Sequence, residues 1–299
     1  MILSFNFIIC FIGALKLSYG VTITIFFTVV FSFITVLNAS ALDPEYETIK
    51  IGLHYGSGAK ISLNVSSSGG FNAGYMDGSR FVSCYPFPDT NLNVSYLGQT
   101  NININGIAYD YPGGGNFSLM PNNGTINING TIYRGGVEFI ATANANLTVI
   151  NFVNINDYIA AVVGKEMSPS WNIEALKAQA VCARSYSIST WNRHSSYGFN
   201  LCATQDCQAY QGISGETEST KIAAYDTKDQ ILKYNGNVAQ TLYSSSNGGS
   251  TAYAKYVWGN DVPYLQAVKD IYENPEETSY SPWQVTLTNA DIKTQAGRI

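Results

Sequence analysis

Charge is scarce in this chain. Of its 299 residues only 12% are Asp, Glu, Lys or Arg, the net charge is −5, and no two basic residues are adjacent. A chain without a basic stripe has nothing with which to neutralise a polyphosphate backbone, so nucleic acid is not an expected partner. Histidine is scarcer still, with two residues, and there are five cysteines. The low charge is not that of a disordered chain, because 45% of the residues are hydrophobic. The length admits two domains at roughly 100 to 200 residues each. What is abundant is Asn, Gly, Ser and Tyr. A weakly charged surface of amides, hydroxyls and phenols suits hydrogen bonding and stacking to a neutral sugar polymer, although the same residues also cover β-surfaces that bind nothing.

The N-terminus is the sharpest break in composition. Residues 5–15 and 21–37 are almost wholly apolar, with Lys16 the one charge before Asp43. The second run is at the lower limit for crossing a hydrocarbon core about 30 Å thick. It leads into Ala39-Ser40-Ala41, the A-x-A form of a signal-peptidase site. Cleaved signal and retained anchor are both open at this point. The expectation is a signal or membrane anchor over residues 1–42, with the rest of the chain outside the cytoplasm or, if cleaved near Ala41, secreted.

From about residue 48 to 156, short β-branched runs alternate with Gly, Asn, Pro and Ser clusters. Strands are expected at 49–53, 61–65, 102–107, 126–132 and 147–153, with turns at 68–70, 113–115 and 122–124. The echo between Asn101–Gly106 (NINING) and Ile126–Gly130 (INING) predicts two similar hairpins. At Asn156 the texture changes. Helices are expected over 157–163, 171–191 and 216–227, the second Ala-rich on one face and therefore closely packed, with Ser168-Pro169-Ser170 as its turn and candidate cap. Strand-like runs follow at 231–234 and 239–244, with a turn at 247–249. The chain reaches Ile299 just after a helical-looking segment, which leaves room for further elements beyond it. The fold class expected is α+β: a β-rich N-terminal module over 43–119, then a mixed catalytic core with a buried Ala-rich helix over 120–299.

Glu166 stands out among possible catalytic groups. It lies between two expected helices, with Gly164 before it and Pro169 after it forcing a sharp path, and Met167 and Trp171 nearby. A carboxyl desolvated at such a bend has a raised pKa and stays protonated to act as a general acid. On local sequence alone the favoured reading is the plainer one, a solvated helix-end residue or a partner for Lys165 or Arg184.

The segment NDYIAAVVGKEMSPSWNIEALKAQAVCARSYSIS, beginning at Asn156, resembles the core motif of the stage II sporulation protein D family, which includes the amidase-enhancer proteins. Glu174–Arg184 reproduces that family's EALKAQAVAAR helix with Cys182 in place of Ala. Tyr133-Arg134-Gly135 and Asn151 upstream fit as well. Downstream, Cys202 to Tyr210 resembles its C-D-x-x-x-C-Q-x-Y segment, Ser244 to Gly249 its S-T-x-GG turn, and the stretch from Val257 to Leu265 its W-G and PYL motifs. The likeness spans roughly residues 120 to 285. Departures are Asn172 for Pro, Ala203 for Asp and Ser244 for His.

For the sporulation branch, this resemblance implies a lytic transglycosylase acting on glycan strands freed of stem peptides, in forespore engulfment, with Glu166 as the catalytic acid and base. It implies an amidase and a membrane scaffold as partners. Arg184 is expected to orient Glu166 or a substrate carboxylate, and Gln179, Gln208, Tyr210, Tyr243 and Ser245 to supply hydrogen bonds to sugar. Cys202 and Cys207, in an exported protein, ordinarily read as a disulfide. The resemblance adds zinc as the alternative, held by His194, Cys202 and Cys207 with a fourth position open. Two other functions fit the same residues, a non-catalytic amidase enhancer and a surface sugar-binding module.

Overall fold

The computed structural model describes residues 42–111 and 116–273. The expected anchor, except Leu42, the turn at 113–115, Cys10 and the C-terminal helical segment lie outside the described residues. Among those described, no helix is long and apolar enough to cross a membrane. The fold is α+β: strands dominate up to residue 154 and helices follow. The described residues fall into two units, one running to Thr241 and one starting at Leu242.

The larger unit is built on two large sheets. The first contains, in spatial order, β13 (Leu201–Cys202), β1 (Thr48–His54), β12 (Leu147–Asn154), β11 (Gly136–Ala141), β8 (Phe117–Pro121), β3 (Phe71–Asp77) and β4 (Arg80–Phe87). The second is β10 (Thr131–Arg134), β9 (Thr125–Ile128), β2 (Ser62–Ser66), β5 (Asn91–Tyr96), β6 (Asn101–Ile104) and β7 (Ile107–Asp110). Period-two patterning explains their packing. Leu63, Val65, Leu92, Val94, Ile102 and Ile104 alternate with outward Asn and Ser and are buried. They share one apolar cluster with Phe71, Phe117, Leu119, Val137, Phe139 and Val149 of the first sheet. The boundary expected near residue 119 falls inside β8, and β1, β3 and β4 from one side of it pair in one sheet with β11 and β12 from the other.

The two NING echoes are hairpins. Asn105-Gly106 joins β6 to β7, and Asn129-Gly130 joins β9 to β10. All four residues have positive φ, at 52°, 87°, 49° and 94°. Two-residue hairpin turns of this hand match strand twist and favour Asn-Gly. The turns therefore lie within the runs expected as single strands at 102–107 and 126–132.

β12 runs directly into α1 (Ile155–Glu166), capped by Asn154, whose Oδ1 accepts from the Asn156 N–H at 2.9 Å. α2 (Ile173–Ser189) follows, and its cap is Asn172, at 2.9 Å from the Glu174 N–H, rather than the expected Ser168-Pro169-Ser170 turn. α3 (Glu218–Asp226) starts with a capping box between Thr217 and Thr220. These three helices pack on one another. Ala175, Ala178, Ala180 and Ala183 on α2 are buried, as the small-residue face required. A short hairpin, β14 (Lys233–Tyr234) with β15 (Asn237–Val238), completes this unit. No strand forms at 239–244; Thr241 instead donates its hydroxyl to Cys182 O on α2 at 2.6 Å. In the second unit, α4 (Ala254–Trp258) accompanies a turn at 246–249, whose Asn247 and Gly249 N–H groups donate to the Glu273 carboxylate.

Candidate active site and metal centre

Glu166 is the last residue of α1, and the chain leaves it extended at Met167, whose N–H closes the final turn on Val163 O. Gly164 makes this ending possible. A Cβ there would lie 1.8 Å from Gly215 O, so the end of α1 is pressed against the loop that enters α3. The Glu166 carboxylate is half-buried and faces residues 207–210, where the Ala209 N–H donates to Oε1 at 3.2 Å. Burial raises the carboxyl's pKa above its ordinary value, and the Ala209 bond opposes that rise without cancelling it. Among the described residues no ion pair reaches Glu166, neither from Lys165 nor from Arg184.

The segment carrying the Ala209 amide is fixed on both sides. Gln208 Oε1 accepts from Ser187 Oγ of α2 at 2.8 Å and from the Tyr158 hydroxyl of α1 at 3.1 Å. The Tyr210 hydroxyl donates to Asn151 Oδ1 of β12 at 2.8 Å. Asn151 in turn donates to Arg134 O and Gly136 O, at 2.9 and 2.8 Å. The rings of Tyr158 and Tyr210 lie 5.0 Å apart. A buried network satisfied at each of these bonds is rigid, so the amide that meets Glu166 is held in place.

Four of the residues expected to meet sugar or to orient Glu166 are buried: Arg184, Gln179, Gln208 and Tyr210 are each at most 3% exposed, and the partners described for them are other parts of this chain. The Arg184 guanidinium joins three helices: it donates to Ala224 O at 2.8 Å, Gln230 O at 3.2 Å, Thr227 Oγ1 at 3.4 Å and Asn156 Oδ1 at 3.2 Å. A cation on the last carbonyls of α3 has the favourable sense for the helix dipole. Gln179 lies within the helical layer, its Nε2 without a hydrogen-bond partner among the described residues. Tyr243 and Ser245 belong to the unit that starts at Leu242, where Tyr243 is half-buried and Ser245 exposed.

His194, Cys202 and Cys207 converge, and the structure adds a residue that the sequence reading missed, Asp206. One donor atom from each of the four lies within 4.8 Å of all the others. Cys207 Sγ is 3.3 Å from His194 Nε2, and Asp206 Oδ2 is 3.5 Å from that nitrogen and 3.9 Å from Cys202 Sγ. A tetrahedral shell with bonds of about 2.0 to 2.3 Å places neighbouring donors about 3.3 to 3.8 Å apart, so this group could hold a metal ion. Both thiols are free. The hydrogen bond between the two thiols is the main cause that holds Cys202 below its ordinary pKa and pushes Cys207 above it. The site is built by pairing β13 with β1: Gly52 sits opposite Cys202, and a Cβ on it would strike the Phe199 ring, which stacks on His194 at 5.2 Å. Of the remaining described cysteines, Cys84 is exposed and Cys182 is a buried packing residue on α2.

Comparison with known proteins follows the same segment. Residues 143–234 match the family described as "SpoIID: Stage II sporulation protein". Over 138 residues the chain is 39% identical to the amidase enhancer of Bacillus subtilis (strain 168), covering 46% of this chain and 18% of that protein. Over 182 residues it is 30% identical to stage II sporulation protein D of the same organism, covering 56% of this chain and 52% of the relative. An uncharacterized protein of Brachyspira hyodysenteriae is 37% identical over 166 residues, covering 55% of this chain and 44% of the relative. The chain thus spans about half or less of each relative. The segment that matches the SpoIID family contains Glu166, the helical layer and all four potential metal ligands.

Proposed function

We propose that this chain is a lytic transglycosylase that cleaves the MurNAc–GlcNAc bond of peptide-stripped peptidoglycan strands outside the cytoplasm, in sporulation. The observation that carries the reading is Glu166: a half-buried carboxyl with a raised pKa, held by one backbone amide and, among the described residues, by no ion pair. Such a group is protonated at a higher pH than an ordinary carboxyl and can donate to a glycosidic oxygen. As that bond breaks, the carboxylate left behind takes the proton of the sugar's own C6 hydroxyl, which attacks C1. The proton returns to Glu166, no water is consumed, and the product ends in a 1,6-anhydro sugar. The second carboxylate that most glycosidases need to act as nucleophile or to activate water has no task here.

A zinc ion is the cation that the two thiols and imidazole fit best, and the separations among His194, Cys202, Asp206 and Cys207 support it. When bound, it would tie β13 to the turn after α2 and to Cys207, two residues before the Ala209 amide. A Cys202–Cys207 disulfide would give a related constraint, and elemental analysis under reducing conditions separates the two. In this reading residues 1–42 serve as anchor or export signal, and a cell-wall amidase that strips the strands and a membrane scaffold are the partners.

The 39% identity to a protein named amidase enhancer favours a second reading, in which the chain stimulates an amidase and cuts nothing. Digestion of peptide-free glycan strands decides between them. The expected products are oligosaccharides lighter by one water than hydrolysis products. Glu166→Gln should abolish them while keeping the wild-type far-UV spectrum. Wild-type protein that gives no product but accelerates a cognate amidase establishes the second reading.

A further inference from the structure

The metal reading above leaves the coordination number open, and the geometry points further. We propose that Asp206 is the fourth ligand of the His194/Cys202/Cys207 centre and closes it, so that the bound cation has no free position. The inference rests on that reading but concerns only how the centre is completed.

Three observations carry it. The two Asp206 oxygens have different partners: Oδ1 accepts from Arg193 Nη2 at 2.8 Å, while Oδ2 faces His194 Nε2 and Cys202 Sγ at 3.5 and 3.9 Å. One oxygen is thus fixed by an arginine and the other is presented to the remaining donors, the arrangement of a one-oxygen ligand with its orienting partner. Charge is the second. Two thiolates, one carboxylate and a divalent cation sum to −1, and Arg193 brings the assembly to neutrality. The third is the surrounding shell. Tyr55 lies 5.6 Å from the His194 ring and 4.9 Å from Phe199, and its hydroxyl bonds to Cys202. The Cys202 N–H donates to Cys207 Sγ at 3.3 Å. His194, Cys202 and Cys207 are thus held by neighbours of their own, and Asp206 supplies the donor on the exposed side.

A closed S2NO site is structural: it has no position for a metal-bound water or for a sugar oxygen. Its task is to fix residues 202–207, and through them the Ala209 amide, leaving the proton chemistry to Glu166.

Zinc content and affinity, measured against a competing chelator on reduced wild-type protein and on Asp206→Ala, test the proposal, together with visible spectra of the cobalt-loaded forms. Wild type is expected to bind one zinc, and Asp206→Ala to bind it at least ~100-fold more weakly, beyond the loss typical of an orienting partner. The wild-type cobalt spectrum should be four-coordinate and unmoved by added azide, whereas that of Asp206→Ala should shift with azide. Asp206→His, which restores a donor, should recover affinity and azide insensitivity, and this excludes misfolding as the cause. One zinc bound equally tightly by Asp206→Ala, or an azide shift in wild type, overturns closure by Asp206 while leaving the metal centre standing. Wild type that binds no metal when reduced overturns the centre and its closure together.

Discussion

At the scale of single residues, the burial of Glu166 has two consequences of definite sign. In the proposed role of acid it must be protonated, so cleavage is expected to persist above the ordinary carboxyl range and to fall as pH rises through the raised pKa; a rate profile on peptide-free strands checks this. For stability, a carboxyl whose folded pKa is raised binds its proton more tightly in the folded state. The folded protein is therefore penalised progressively as pH climbs from the unfolded value through the folded one. Glu166→Gln should match wild type in melting temperature below that window and exceed it above. Arg184 behaves oppositely. Replacing it with Met strands Ala224 O and Gln230 O, with a loss of about 3 kcal/mol expected in denaturant unfolding. The half-burial of Glu166 was legible in the bend between Gly164 and Pro169. The burial of Arg184, Gln208 and Tyr210 was not, since a polar side chain looks the same in sequence whether it meets a ligand or three helices. Asp206 escaped notice as an acid between two cysteines, although its adjacency to Cys207 is a signal that a search for four donors would have caught.

At the scale of elements, the turns and helices were readable where local chemistry is restrictive. Asn-Gly at 105–106 and 129–130 fixes both hairpins, and the Ala-rich face foretold the close packing of α2. Helix starts were less legible, because Ser168, Ser170 and Asn172 are all good caps and only tertiary packing selects the last. Gly164 shows what local pattern cannot reveal. Nothing in its neighbours announces that Gly215 O will lie against it, yet that approach sets where α1 ends and Glu166 begins. Gly164→Ala gains helix propensity in exchange for a backbone clash. Forcing the two segments apart should cost about 1 to 3 kcal/mol and shift the melting temperature down by roughly 2 to 10 °C. Because the displaced helix end carries Glu166, glycan cleavage should fall by more than the loss of folded protein explains, which comparing rates per folded molecule well below the melting temperature will show.

At the scale of the whole molecule, the sequence suggested a β-rich module followed by a catalytic one, and the texture does change at residue 156. Sheet pairing crosses that division. β1, near the start of the described chain, lies between β12 and β13, and its Gly52 sits opposite the metal-ligand candidate Cys202. Long-range pairing of this kind leaves no trace in local periodicity, which explains why the division looked cleaner in sequence than it is in space. It also yields a prediction about cooperativity. A fragment restricted to residues 120–241 loses β1, β3, β4, most of β8 and most of the second sheet, leaving β12 paired on one side by β11 and exposing the buried face that carries Val149 and Asn151. We expect that fragment to lack a cooperative thermal transition, and residues 43–241 to melt in one step, with far-UV circular dichroism and tryptophan fluorescence coinciding. Two separated transitions in 43–241, or a folded 120–241 fragment that cleaves glycan, would show that the catalytic segment is autonomous and that β1 is an accessory strand.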